Sequence, residues 1–109
     1  MSETPIDLYW RPGCGFCMAL ERGLGKVGDL PISRHNIWDD PEAAAFVRQH
    51  ANGNETVPTV RVGSKVVVNP TAAEVMQLLA QEHPEAVPEG YEPPQPGPVG
   101  RAVNRLLGG

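Results

Sequence analysis

Along residues 6–82 the apolar positions switch repeatedly between short runs and helical stripes, and each switch marks an element. Ile6-Asp7-Leu8-Tyr9-Trp10 reads as a buried strand. From Cys14 to about Val27, residues Leu20, Leu24 and Val27 share one face of a helix, and Gly23 and Gly25 predict a ragged last turn. Leu30 to Ile37 alternates as a second strand. Asp40 then N-caps a second helix, with Pro41 at its first position and Ala43, Phe46, Val47 and His50 as its inward stripe. Ala51 to Asn54 is turn chemistry. Thr59–Val62 and Lys65–Val68 are β-branched runs about Gly63-Ser64, where a leading glycine suits a type II′ hairpin. Thr71-Ala72-Ala73-Glu74 fits a capping box, and it opens a third helix that buries Val75, Leu78 and Leu79.

The resulting order, β-α-β-α-β-β-α, is an α/β layout with a four-stranded mixed sheet and three flanking helices. A helical crossover makes the first two strands parallel, and the hairpin makes the last two antiparallel. Composition changes at about His83. Six prolines fall between Pro84 and Pro98, beside acidic residues and little to bury. The expected organisation is therefore one domain over 1–83 and an extended, Pro-rich tail over 84–109. Within that tail Val99, Val103, Leu106 and Leu107 recur at helical spacing, so it is either a frayed end or a docking helix on a tether.

Length and charge narrow the function. A chain of 109 residues is one domain's worth, and its net charge of −4 argues against general nucleic-acid binding. The first thirty residues lack a signal-peptide layout, and no run is long enough to span a membrane, so a soluble cytoplasmic protein without membrane contacts is expected. His35, His50 and His83 do not stand at ligand spacing with each other or with the cysteines, so no metal site is expected.

The only two cysteines are Cys14 and Cys17, at the junction of the first strand with the first helix. A disulfide between them closes too small a loop to constrain the unfolded chain much, so chemistry explains the pair better than stability does. At a helix N-terminus, unpaired N–H groups and the macrodipole favour a thiolate, which makes Cys14 the candidate nucleophile, partly exposed in its loop. Cys17 lies one turn deeper, within disulfide reach, and can resolve a mixed disulfide formed on Cys14. Gly15 leaves access to that sulfur, and Phe16 reads as a surface contact. Arg11 either supports the thiolate or is a solvated loop charge. In Thr56-Val57-Pro58, the Val57 backbone would pair with an incoming thiol or peptide if it faced Cys14; otherwise Pro58 is an ordinary turn proline.

These pieces together resemble the glutaredoxin branch of the thioredoxin-like fold. The carriers are Arg11-Pro12-Gly13-Cys14-Gly15-Phe16-Cys17, Thr56-Val57-Pro58-Thr59-Val60 and Asn69-Pro70-Thr71-Ala72-Ala73-Glu74-Val75. The resemblance spans about residues 5–81. It implies a cis bond before Pro58, a basic residue at the place of Arg11, and thiol-carrier contacts from Thr71 and the Val57 backbone. The third segment and Gly15-Phe16 are similar to actinobacterial mycoredoxins, whereas common glutaredoxins carry Gly-Gly and an Asp where this chain has Asn69-Pro70-Thr71. The implied activity is reduction of protein mixed disulfides with a low-molecular-weight thiol as co-substrate, mycothiol ahead of glutathione, and no tightly bound cofactor. Disulfide-containing proteins are the implied partners of a monomer. Two alternatives stand beside it: a dithiol electron donor recharged by a flavin disulfide reductase of the thioredoxin reductase type, and an iron–sulfur cluster carrier.

Overall fold

The computed structural model describes residues 4–91. Its elements are β1 (Ile6–Trp10), α1 (Gly15–Val27), β2 (Ile32–Asn36), α2 (Pro41–His50), β3 (Thr59–Val62), β4 (Lys65–Val68) and α3 (Ala72–Glu82), followed by a 3₁₀ turn at Pro84–Ala86. The sheet order is β2-β1-β3-β4, with β1 parallel to β2 and β3 antiparallel to both β1 and β4. This is the thioredoxin-like arrangement. β1 is central, so its alternate side chains feed two layers. Ile6 and Leu8 join Leu20, Leu24, Val60, Val62, Val75, Met76 and Leu79 in the main core beside α1 and α3. Tyr9 faces the other way and packs with Ala43, Ala44 and Val47 of α2. Asp7 is buried on the sheet and satisfied by His35 Nε2 of β2 at 2.9 Å.

Three details differ from the sequence pattern. α1 runs unbroken through both glycines to Val27. The reason lies outside α1: a Cβ on Gly23 would stand 2.9 Å from Ala72 Cβ, so the glycine lets α1 and α3 approach closely. In α2 the buried stripe is Ala43, Ala44 and Val47, while His50 is exposed and packs against the Phe46 ring. In α3 Met76 is fully buried and Leu78 only partly so. The stripe thus rotates by less than one residue spacing toward α1 and β3.

The two glycines make a paired test. Nothing lies within 4 Å of a Cβ on Gly25. Gly25→Ala should raise stability by about 0.5–1 kcal/mol through helix propensity. Gly23→Ala gains the same propensity but meets Ala72, and it should lower the thermal midpoint. Equal stabilisation by both would contradict the close helix contact.

The hairpin matches the type II′ expectation, since Gly63 has φ 58° and Ser64 is not among the residues with positive φ. Glu82, at the end of α3, accepts from Ser64 N–H at 3.0 Å and from its hydroxyl at 2.8 Å. Those hydrogen bonds hold the Glu82 carboxyl below its ordinary value of 4.5. A depressed carboxylate contributes stability that is present above the unfolded value and lost as pH falls through the lower folded one. Wild type should therefore lose stability more steeply than Glu82→Gln as pH drops below about 4.5, which urea unfolding at stepped pH would measure.

Beyond α3, Ala86, Val87 and Tyr91 pack against the main core. The start of the expected tail is thus seated on the domain through these three residues, which carry apolar groups, while Pro84, Glu85, Glu89 and Gly90 stay exposed. Val99, Val103, Leu106 and Leu107 lie outside the described residues.

Candidate active site

At the end of β1 the chain turns through residues 11–14 into α1, with Gly13 at φ 76°. Cys14 is the N-cap of α1, and its Sγ accepts from the Cys17 N–H at 3.1 Å. A sulfur thus fills the place usually held by a Ser or Asp oxygen. Cys14 and Cys17 form a disulfide, with Cα atoms 5.2 Å apart. Their expected difference in exposure is absent in this oxidised form: Cys14 is 4% exposed and Cys17 3%. Both belong to a cluster with Tyr9, Ile37 and Val57, which covers the sulfurs from the α2 side.

The second segment meets the first at this point. The Val57–Pro58 bond is cis. Val57 O lies 3.6 Å from Cys14 Sγ, and the Val57 N–H has no partner among the described residues. Asn69, in the left-handed region at φ 53°, donates its N–H to Pro58 O at 2.7 Å and so ties this loop to the start of α3. Thr56 is exposed, and its carbonyl accepts from the Thr59 hydroxyl at 2.8 Å.

The third segment closes one side. Thr71 caps α3: its hydroxyl accepts from Glu74 N–H at 3.1 Å, while Glu74 Oε1 accepts from Thr71 N–H at 3.0 Å. Between α1 and this end of α3 lies a groove of about 360 Å³, lined by Phe16, Ala19, Leu20, Asn69, Pro70 and Thr71. It has no charged lining residue. Phe16 is 71% exposed at its edge. Gly15 has nothing within 4 Å of a Cβ position, so a side chain there would stand in open space.

Arg11 does not reach the sulfur. Its guanidinium donates to Pro12 O at 3.1 Å and lies 5.8 Å from the Trp38 ring centroid. Trp38 was not singled out in the sequence. It is exposed on a turn after β2, where its N–H donates to Asn36 Oδ1 at 3.0 Å and Asn36 donates in turn to Asp39 at 3.1 Å. The Asn-x-x-Asp spacing of that turn is the local signal that could have found it. Tyr9 stacks between His35 and Phe46. Burial, and then the nearby Asp7 charge, push its hydroxyl above the ordinary value of 10.0. It therefore stays neutral at physiological pH.

A sulfur bonded to a helix N-terminal amide, a second sulfur one turn behind it and a free backbone donor alongside can carry out thiol–disulfide exchange. Comparison with known proteins agrees. The glutaredoxin family model matches residues 6–67, which hold the Cys-x-x-Cys pair and the cis proline. The chain belongs to the glutaredoxin family.

Mycoredoxin 1 of Corynebacterium glutamicum is 34% identical over 76 residues, which cover 68% of this chain and 91% of that protein. Among solved structures, the buckwheat glutaredoxin–glutathione complex superposes with a TM-score of 0.58 at 18% identity, covering 78% of this chain and 83% of that one. Reduced glutaredoxin C1 from Populus tremula x tremuloides gives 0.58 at 23% identity, covering 87% and 85%. At such identities these two bear on the fold alone. The chain is a glutaredoxin-type thiol–disulfide oxidoreductase with a Cys14–Cys17 redox disulfide. No helix among its described residues is long and apolar enough to cross a membrane.

Proposed function

We propose that this glutaredoxin reduces mixed disulfides between proteins and mycothiol, using mycothiol as its co-substrate in a reducing cytoplasm. In this reading the Cys14 thiolate attacks the mixed disulfide at the sulfur of the small thiol. The protein thiol leaves, and the small thiol stays bonded to Cys14. A second small-thiol thiolate then attacks that sulfur and departs with it as a symmetrical disulfide, restoring Cys14. Cys17 competes by closing the disulfide with Cys14. The Val57 N–H and O would pair with the backbone of the small thiol's cysteine in strand fashion, and Thr71 and Thr56 would flank it.

One observation carries the choice of thiol: the groove between the first turns of α1 and the start of α3, next to Phe16, is uncharged, and the carboxylate of Glu74 already caps the adjoining helix. Glutathione brings two carboxylates and one ammonium at neutral pH. No cation lines the groove to receive those carboxylates, and Glu74 repels them. Mycothiol carries its cysteine on a neutral sugar–cyclitol whose hydroxyls suit Asn69 and Thr71. The similarity to a protein named mycoredoxin points the same way.

The experiment supplies mycothiol, glutathione or a thioredoxin reductase in turn to wild type and to Cys17→Ser. Mycothiol should sustain turnover at least about tenfold better than glutathione, equivalent to roughly 1.4 kcal/mol of discrimination. Equal rates with glutathione would overturn the thiol assignment. Turnover sustained by the reductase alone, and abolished in Cys17→Ser, would instead establish the dithiol electron donor.

A further inference from the structure

The disulfide is bordered by a second groove, also of about 360 Å³, whose lining includes Trp10, Arg11, Cys17, Met18 and Arg22. It lies on the other side of α1 from the uncharged groove. Phe16, Ala19 and Leu20 point to one side of the helix; Cys17, Met18, Glu21 and Arg22 point to the opposite side, roughly 180° away at about 100° per residue. The two grooves differ in charge as well as direction.

Glu21 and Arg34 also line this second groove, and they neutralise one another: Arg34 Nε approaches both Glu21 oxygens, at 3.0 and 2.9 Å, and Nη2 approaches one at 2.9 Å. Arg22 has no ion pair among the described residues, and Arg11 has only the Pro12 carbonyl and the face of Trp38. The nearby Asp39 and Asp40 carboxylates are turned to Asn36 and to the first amides of α2. A surplus of two positive charges therefore borders an apolar floor, in a chain whose net charge is −4. Met18, 57% exposed, lines it, and Trp38, 63% exposed, stands next to it under the Arg11 guanidinium. Tryptophan is among the residue types enriched at the energetic centres of protein interfaces.

We infer that this groove receives the polypeptide of the protein substrate, and that it selects segments with an acidic side chain and an apolar side chain beside the reacting cysteine. The inference rests on the proposed thiol exchange at Cys14. The small thiol occupies the neutral side of α1, the protein segment runs along the cationic side, and the disulfide joining them meets Cys14 between the two. Arg22 and Arg11 receive the carboxylate, while Trp38 and Met18 cover the apolar side chain.

The test uses three peptides of one length, each carrying the same small thiol on a central cysteine with acidic, neutral or basic flanks. A small non-peptide mixed disulfide serves as control. Wild type should show a kcat/KM for the acidic peptide about five- to tenfold above that for the basic one, and the gap should shrink with added salt. Arg22→Glu should reverse that order, Arg22→Lys should keep it, and both should turn over the small control at the wild-type rate. Trp38→Ala should raise KM for all peptides and leave the control unchanged. Equal turnover of acidic and basic peptides by wild type, or an Arg22→Glu loss shared equally by the control, would overturn the docking assignment. Failure of wild type on the small control would instead count against the thiol-exchange reading beneath it.

Discussion

Cys14→Ser should abolish reduction of mixed disulfides, with a loss on the order of a thousandfold or more, while Cys17→Ser should keep most of the rate. The asymmetry follows from the helix start. Cys14 Sγ is the acceptor of the Cys17 N–H at 3.1 Å, and it lies 3.6 Å from Val57 O, so it alone meets both a first-turn amide of α1 and the Val57 backbone. A negative charge on that sulfur strengthens the N–H bond and is favoured by the helix dipole. A serine hydroxyl could replace the cap but not the nucleophile, because its oxygen stays protonated at neutral pH. The Cys17 sulfur sits one turn inside the helix, away from the orphan amides. In a monothiol exchange it contributes only the side reaction that closes the disulfide. A rate assay with a mycothiol mixed disulfide measures both variants, and an inactive Cys17→Ser would mean that the dithiol route is obligatory.

Leu8→Ala should be the most damaging of the simple core truncations, with a cost of about 2–5 kcal/mol. Leu8 is fully buried on the central strand, opposite Arg34 of β2 and Val60 of β3, and it packs between α1 and α3. The strands and helices that position Cys14, Val57 and Thr71 all close on the core containing Leu8. For a domain of this size each kcal/mol lowers the thermal midpoint by roughly 4–8 °C, so a fall of about 8–40 °C is expected by calorimetry. Val68→Ala on exposed β4 is the comparison, with a shift within about 0.5 kcal/mol. Similar shifts for the two variants would place the core elsewhere.

Local chemistry explains which parts of this molecule were legible in the sequence. β1, β3 and β4 fall where their apolar runs predict them, because turn residues bound each run. The Thr71–Glu74 capping box and the Asp40 cap with Pro41 are short-range devices, and both appear as expected. β2 is shorter than Leu30–Ile37 because Pro31 has no N–H to give to a ladder, although the Ile37 N–H still reaches Trp10 O at 2.9 Å. The remainder depended on partners distant along the chain. Gly23 weakens a helix in isolation, and only the approach of Ala72 gives it a purpose. Cys14 reads as a loop residue, yet Val57, more than forty residues later, covers it. Sequence distance leaves Arg11 as either a thiolate partner or a solvated charge, whereas its planar cation lies over Trp38 and its N–H bond goes to Pro12 O. Cation–π contacts of this kind leave no periodic trace. The Cys-x-x-Cys pair was the exception among site features, since its spacing alone sets the disulfide geometry.

The most direct test measures how fast iodoacetamide alkylates Cys14 in reduced Cys17→Ser, from pH 4 to pH 9, against a free cysteine peptide. An ionised sulfur at the α1 N-terminus predicts a rate at pH 7 well above that of the peptide, already near its plateau. A rate that merely tracks the peptide across the whole range would show that the helix start does not hold a thiolate, and the proposed chemistry would lose its nucleophile.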